Sequence, residues 1–160
     1  MTVLQLFQYF KNIAINHKQI AHTELKPKFA HIDFEAQNGI RTTLDTTSPV
    51  LLLDTPSGSL QGKSLNSILD YFTTRFAVVQ HVRKDDFAAE KEAYSKCLEI
   101  GKEILRYILT EQMQPCEVNW LSPNITYSPV YMLDNAIGYV FTIQYYTEFD
   151  RTPNPEMWLV

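Results

Sequence analysis

Cysteine is scarce in this 160-residue chain: Cys97 and Cys116 are too few for a disulfide framework. Long apolar runs are missing as well, and no stretch approaches the roughly 18 apolar residues that a membrane-crossing helix requires. The opening Met1-Thr2-Val3-Leu4-Gln5-Leu6-Phe7 lacks the basic start, apolar run and small-residue cleavage site of a signal peptide. Nor is there an excess of positive charge. Fourteen Lys and Arg against eighteen Asp and Glu give a net charge of -4, and the basic residues are scattered, which weakens the case for a general grip on nucleic acid. No internal repeat, low-complexity segment, Gly-x-Ser-x-Gly elbow or catalytic cysteine signature is visible, so nucleophilic catalysis has no support. The expected localisation is cytoplasmic at synthesis, which leaves Asn124-Ile125-Thr126 as a chance match to the glycosylation pattern.

What is present is enough for an ordinary core: 45% of residues are hydrophobic and 20% charged. The pattern predicts a first helix from Thr2, its cap, to about Ile20, with Val3, Phe7, Phe10, Ala14 and His17 on one stripe. Phe29 to Ala36 alternates, with Ala30, Ile32, Phe34 and Ala36 on a buried face and His31, Asp33 and Glu35 on a wet one. Val50-Leu51-Leu52-Leu53 after Pro49 reads as a strand covered on both faces. Thr55 to Lys63, with Pro, two Gly and two Ser, reads as loop. Leu65 to Thr74 fits either a short helix or the start of a long strand, and residues 76–82 are strand.

Asp85 or Asp86 then caps a long helix to about Gln112, with Phe87, Tyr94, Leu98, Ile104, Leu105 and Ile108 lining its buried face and Pro115 stopping it. Two strands close the chain. Ile125, Tyr127, Tyr131 and Leu133 alternate in one; Tyr139, Phe141, Ile143 and Tyr145 alternate in the other. Asp134 to Gly138 supplies the hairpin turn between them. The expected architecture is α+β: a mostly antiparallel sheet packed by an N-terminal helix and one long central helix, ending in a β-hairpin. Residues 1–150 form one domain, and 151–160 a Pro-containing tail with an apolar end.

Candidate chemistry is sparse. Gly58 to Ser64 resembles a phosphate-binding loop, but the spacing to Gly62-Lys63-Ser64 demands glycine at position 57, where Ser57 stands. No repeated strand–helix pattern supplies the parallel frame such a loop needs, so no nucleotide affinity is expected. His31, Asp33 and Glu35 carry the ligand types of a transition-metal site, the more so if His81 on another strand lies near them. Two-residue spacing on a strand separates such side chains by about 7 Å, awkward for one ion, and the plainer reading is a solvated sheet face. His17 and His22 lack helical pair spacing, Cys97 belongs to the core, and Glu90-Lys91-Glu92 with Asp85-Asp86 is a capped, solvated helix face. Nine Tyr and nine Phe serve mainly the core. Tyr145, Tyr146, Phe149 and Trp158 gather near the end as candidate interface residues, because Tyr and Trp anchor protein contacts.

Taken together, Leu6-Phe7-Gln8-Tyr9-Phe10 with Ala14, His17 and Ile20-Ala21-His22, then Phe29 through Glu35, Pro49 to Leu53, Phe76 to Val82 and Tyr139-Val140-Phe141-Thr142-Ile143 form an order along most of the chain. That order resembles the tail terminator and tail-completion (neck) proteins of long-tailed bacteriophages, closest to small proteins of Bacteroidetes-type prophages. The resemblance implies a non-catalytic α+β subunit of a homo-oligomeric ring, partnered by itself and by tail or neck proteins, with virion as a further location. It implies no catalytic, cofactor-binding or metal residue, and it requires no nucleic-acid contact and no membrane. Under it, the 57–63 segment and the apolar tail become assembly arms. Two other classes stay open: a small metal-dependent enzyme or ligand-binding domain using the His31/Asp33/Glu35 face, and an adaptor or immunity-type protein that binds a protein partner.

Overall fold

The computed structural model describes residues 2–32, 44–62, 67–111, 119–120, 125–132, 135–152 and 155–157. Thr2 starts the first helix, α1 (Val3–Asn16), through a capping box: its hydroxyl accepts from the Gln5 amide, and the Gln5 side chain accepts from the Thr2 amide. The helix ends at Asn16, four residues before Ile20. His17 turns extended there while its N–H still donates to Ile13, and Ala21 takes a left-handed conformation (φ 51). Leu6, Phe10, Ile13 and Ala14 are buried, and Ile20 is buried beyond the helix end; Val3, expected on the apolar stripe, is 43% exposed in the first turn.

The strands are β1 (Phe29–His31), β2 (Val50–Leu53), β3 (Ser57–Gly62), β4 (Ile68–His81), β5 (Asn119–Trp120), β6 (Thr126–Met132) and β7 (Ala136–Glu148). They form one sheet, antiparallel apart from the β1–β2 pair. β4 and β7 are its long centre, paired along their whole length from Leu69–Glu148 to His81–Ala136. β2 and β3 share the other edge of β4, β2 at residues 76–79 and β3 at residues 68–73.

Thr55 to Lys63 is therefore not a loop through its described length; residues 57–62 are a strand. Gly and Ser suit an edge that lies close to its neighbour, since a Cβ on Gly58 would sit 3.2 Å from the Tyr71 carbonyl oxygen. The crossing from β2 to β3 is pinned at Asp54. Its amide donates to Arg75 O at 2.8 Å, and its carboxylate accepts from Arg75 Nε at 2.7 Å and from the Thr55 amide at 2.9 Å. The ambiguity over residues 65–74 resolves, from Ile68 on, as strand.

The second helix, α2 (Phe87–Glu111), is capped by Asp86, whose carboxylate accepts from the Ala89 amide at 3.0 Å. Its buried stripe includes small residues: Ala93 and Cys97 precede Ile100, Ile104 and Ile108, and Gly101 faces Phe141. Phe87, expected in the core, is 70% exposed in the first turn. The small residues of the stripe serve a close approach to the sheet. A Cβ on Gly101 would lie 2.0 Å from the Phe141 ring, so α2 meets β7 without side-chain spacers.

Between the helices and the sheet sits the main core, in which Phe10 meets Phe76 (5.4 Å between ring centroids) and Phe76 stacks on Phe141 (4.9 Å). A second cluster on the opposite face gathers Leu44, Val50, Leu52, Ala77, Val79 and Met132, so β2 is covered on both sides, as its apolar run predicts. The 44–49 segment is tied over that face. Thr46 O accepts from the His81 amide, and the buried Lys28 reaches Asp45 and the Ser48 hydroxyl. Thr47 hydroxyl and amide, with lesser help from Lys28, hold the Asp45 carboxyl below its ordinary range.

The closing hairpin is tighter than the five-residue turn read from the sequence. Met132 already pairs with Ala136, and Asn135 supplies the left-handed residue (φ 57). Gly138 belongs to β7 instead, where a Cβ would meet the Val78 carbonyl oxygen at 1.9 Å.

Candidate functional site

The strand order separates His31 from His81, the two histidines of the metal reading. His31 pairs with Leu53, Leu53 with Phe76, and His81 lies five residues farther along β4, roughly 17 Å away by strand rise. His31 has other partners: Nε2 is 2.8 Å from Thr55 Oγ1, and the ring lies 4.3 Å from that of Phe7. It thus lies at the sheet margin beside α1, exposed to solvent as expected of the wet face. Asp33 and Glu35 lie outside the described residues. Among the described residues no group of three or more His, Cys, Asp or Glu is placed to hold a metal ion.

Gly58, the first glycine of the resemblance to a phosphate-binding loop, stands inside β3 and pairs with Phe72. A strand with one side bonded to β4 is not a loop whose amides converge on phosphate. Lys63 and Ser64 lie outside the described residues. Cys97 is fully buried, its thiol pushed up to about 12 by burial, which leaves it the unreactive core residue expected.

The four terminal aromatics divide. Tyr145 is 1% exposed and stacks on Phe72 at 5.1 Å, so it is a core residue and not part of a surface; alternation along β7 turns it toward the helices. Burial, with the Asp70 carboxylate adding to it, pushes its phenol up to about 12, and burial likewise raises Asp70. Tyr146 faces the other side and pairs across the strands with Tyr71, ring centroids 5.6 Å apart and both half-buried. Phe149 is 37% exposed just beyond, its amide donating to Ile68 O at 3.2 Å. Trp158 lies outside the described residues.

The structure adds what the sequence reading missed. β3 is exposed at all six positions, with Leu60 at 54%, and it borders the β4 strand that carries Tyr71. Leu60, Tyr71, Tyr146 and Phe149 lie at one end of the sheet, at the start of β4 and the end of β7, but on two faces: Tyr71 and Tyr146 pair on one, and Leu60, opposite Asp70, lies on the face of Tyr145. Nothing in linear spacing brings Tyr71 to Tyr146, which are 75 positions apart; only the pairing of β4 and β7 does.

A separate cleft of 620 Å³ opens where the end of α1 faces α2. Ile13, Ile100 and Ile104 form its floor, and His17, Lys102 and Glu103 stand on its rim. Burial lowers the His17 imidazole below its ordinary value, against a smaller opposing pull from Glu103. The Arg106–Glu103 pair at this rim is exposed on both sides and contributes little. Charges of both signs on mobile, solvated side chains give this cleft no single ligand preference.

The chain matches no family model and no curated protein. No helix among the described residues is long and apolar enough to cross a membrane.

Proposed function

We propose that this chain is a non-catalytic structural subunit of a phage or prophage tail, of the tail terminator or neck ring type that its sequence resembles. The observation that carries the reading is the half-exposed Tyr71–Tyr146 pair on one face at the open end of the sheet, with the exposed Leu60 at the same end on the opposite face. Rigid aromatic side chains on a sheet cost little conformational entropy to immobilise, and they dominate the energetic centres of protein interfaces. The enzyme alternative draws no support from His31, which is engaged with Thr55 and Phe7.

A subunit of this kind places its neighbours through such surfaces, and no reaction is required of it. Electron microscopy of the purified chain, alone and mixed with assembled tail tubes, tests the reading. Rings in solution or caps at tube ends are the expected outcome. A chain that forms no ring, leaves tube ends bare and copurifies with stoichiometric zinc or manganese would return the enzyme class to first place.

A further inference from the structure

The outer strands of the sheet differ in how well their edges are protected. β1 has three residues and β5 two, while β6 has seven but carries Pro129 near its middle, which removes a backbone donor. β3 has six residues, all exposed, with neither proline nor charge among them, and within the described residues it pairs with β4 alone. A strand edge is a row of N–H and C=O groups that another strand satisfies as a set, and proteins ordinarily blunt it with Lys, Pro or a bulge. We infer that β3 pairs antiparallel with β3 of a second copy of this chain, continuing the sheet across a two-fold axis.

Geometry and charge select that occupant. β3 lies against residues 68–73 of β4, whereas β6 lies against residues 136–142 of β7, which stand opposite residues 75–81 of β4. The two longer edges are therefore at opposite ends of the sheet. Joining β3 of one copy to β6 of the next would shift successive copies by about 25 Å along the strands and build an open filament. Pairing β3 with β3 closes on itself.

Centred on Leu60, the pairing sets Leu60 opposite Leu60, Gly58 opposite Gly62 and Ser59 opposite Gln61, so no like charges meet and the exposed leucine gains an apolar neighbour. Asp70, the β4 partner of Leu60, would stand three strand spacings from its counterpart. That is about 14 Å, beyond the Debye length of roughly 8 Å at physiological salt. A two-fold contact does not propagate a ring, so this inference and the ring reading fail separately.

Sedimentation velocity of the full chain across micromolar concentrations should show a monomer–dimer equilibrium. Leu60→Lys sets two ammonium groups face to face and should weaken the dimer by about tenfold or more. Because Leu60 is exposed, the thermal transition should stay at the wild-type value at concentrations where both chains are monomeric. Hydrogen exchange on the wild-type chain gives a readout that needs no variant: amides of residues 57–62 should gain protection as concentration rises, while those of residues 76–79 stay protected throughout. A wild-type chain that remains monomeric overturns the inference. So does a folded Leu60→Lys chain that dimerises as the wild type does, or β3 exchange that is independent of concentration in a sample that dimerises. A ring that forms without change at β3 would sink this contact and leave the ring reading standing.

Discussion

Asp54 is the side chain on which one turn of topology depends. Its carboxylate is buried and holds Arg75 by Nε and Nη2 while also accepting from the Thr55 amide. Asp54→Ala would leave the Thr55 amide without its acceptor and take the Asp54 carboxylate away from Arg75; with Arg75 39% exposed, water takes back part of that loss. We expect a cost of about 1–3 kcal/mol in urea unfolding, with Asp54→Asn losing less because one oxygen acceptor remains. Two histidines give a pH signature. Burial lowers His17 despite Glu103, and burial followed by the Lys11 charge lowers His22. Unfolding returns each imidazole to its ordinary 6.5, so below that pH the unfolded chain binds more protons than the folded one. Their effect on stability is absent above 6.5 and becomes a loss as pH falls toward the lowered folded values. Thermal melts from neutral to mildly acid pH should show it, and His17→Asn should flatten the decline; an unchanged slope would mean that His17 titrates alike in both states.

At the scale of elements, α2 and the sheet meet through missing atoms as much as through present ones. The stripe Ala93, Cys97, Gly101 lets the helix backbone approach β7, and the Phe141 ring fills the space a Gly101 side chain would take. That ring is fully buried and stacked on Phe76, so it has little room to yield. Gly101→Ala raises intrinsic helix propensity, worth about 1 kcal/mol in an open helix, yet overpacking should cost about 1–3 kcal/mol and outweigh it. A lowered melting temperature is the expected result; a raised one would show that α2 can slide outward at no cost. Phe87→Ser makes the opposite point. Removing an aromatic that is 70% exposed should change the melting temperature little, although sequence periodicity assigns Phe87 to the core.

For the whole molecule, the sheet decides which chemistries have a frame. A nucleotide loop needs a strand that opens into a helix in a parallel sheet; here the glycine-containing segment is an antiparallel edge strand. Calorimetry with ATP and magnesium should therefore give no saturable heat at millimolar ligand. Micromolar binding abolished by Lys63→Ala would overturn that reading. The assembly reading sits at the same scale, since its tyrosine pair is made by two strands, β4 and β7, and has no counterpart in either alone.

Local patterns were enough to read the α+β class, the capped starts of both helices, the doubly covered β2 and the existence of the β6–β7 hairpin. Each rests on short-range physics: a hydroxyl within reach of a free amide, a period of 3.6 or 2, a run of four apolar residues. Tertiary structure alone decided the rest. Ser57–Gly62 lacks the β-branched and aromatic residues that mark strands, and it becomes one because the long β4 edge beside it needs a partner. Tyr145 and Tyr146 are neighbours of one residue type, yet the pleat sends one to the core and the other to the open face. Ala93 and Gly101 carry too little apolar bulk to stand out in the helical pattern, and they set the distance of α2 from the sheet. Small side chains carry little pattern, and their meaning comes from what packs against them.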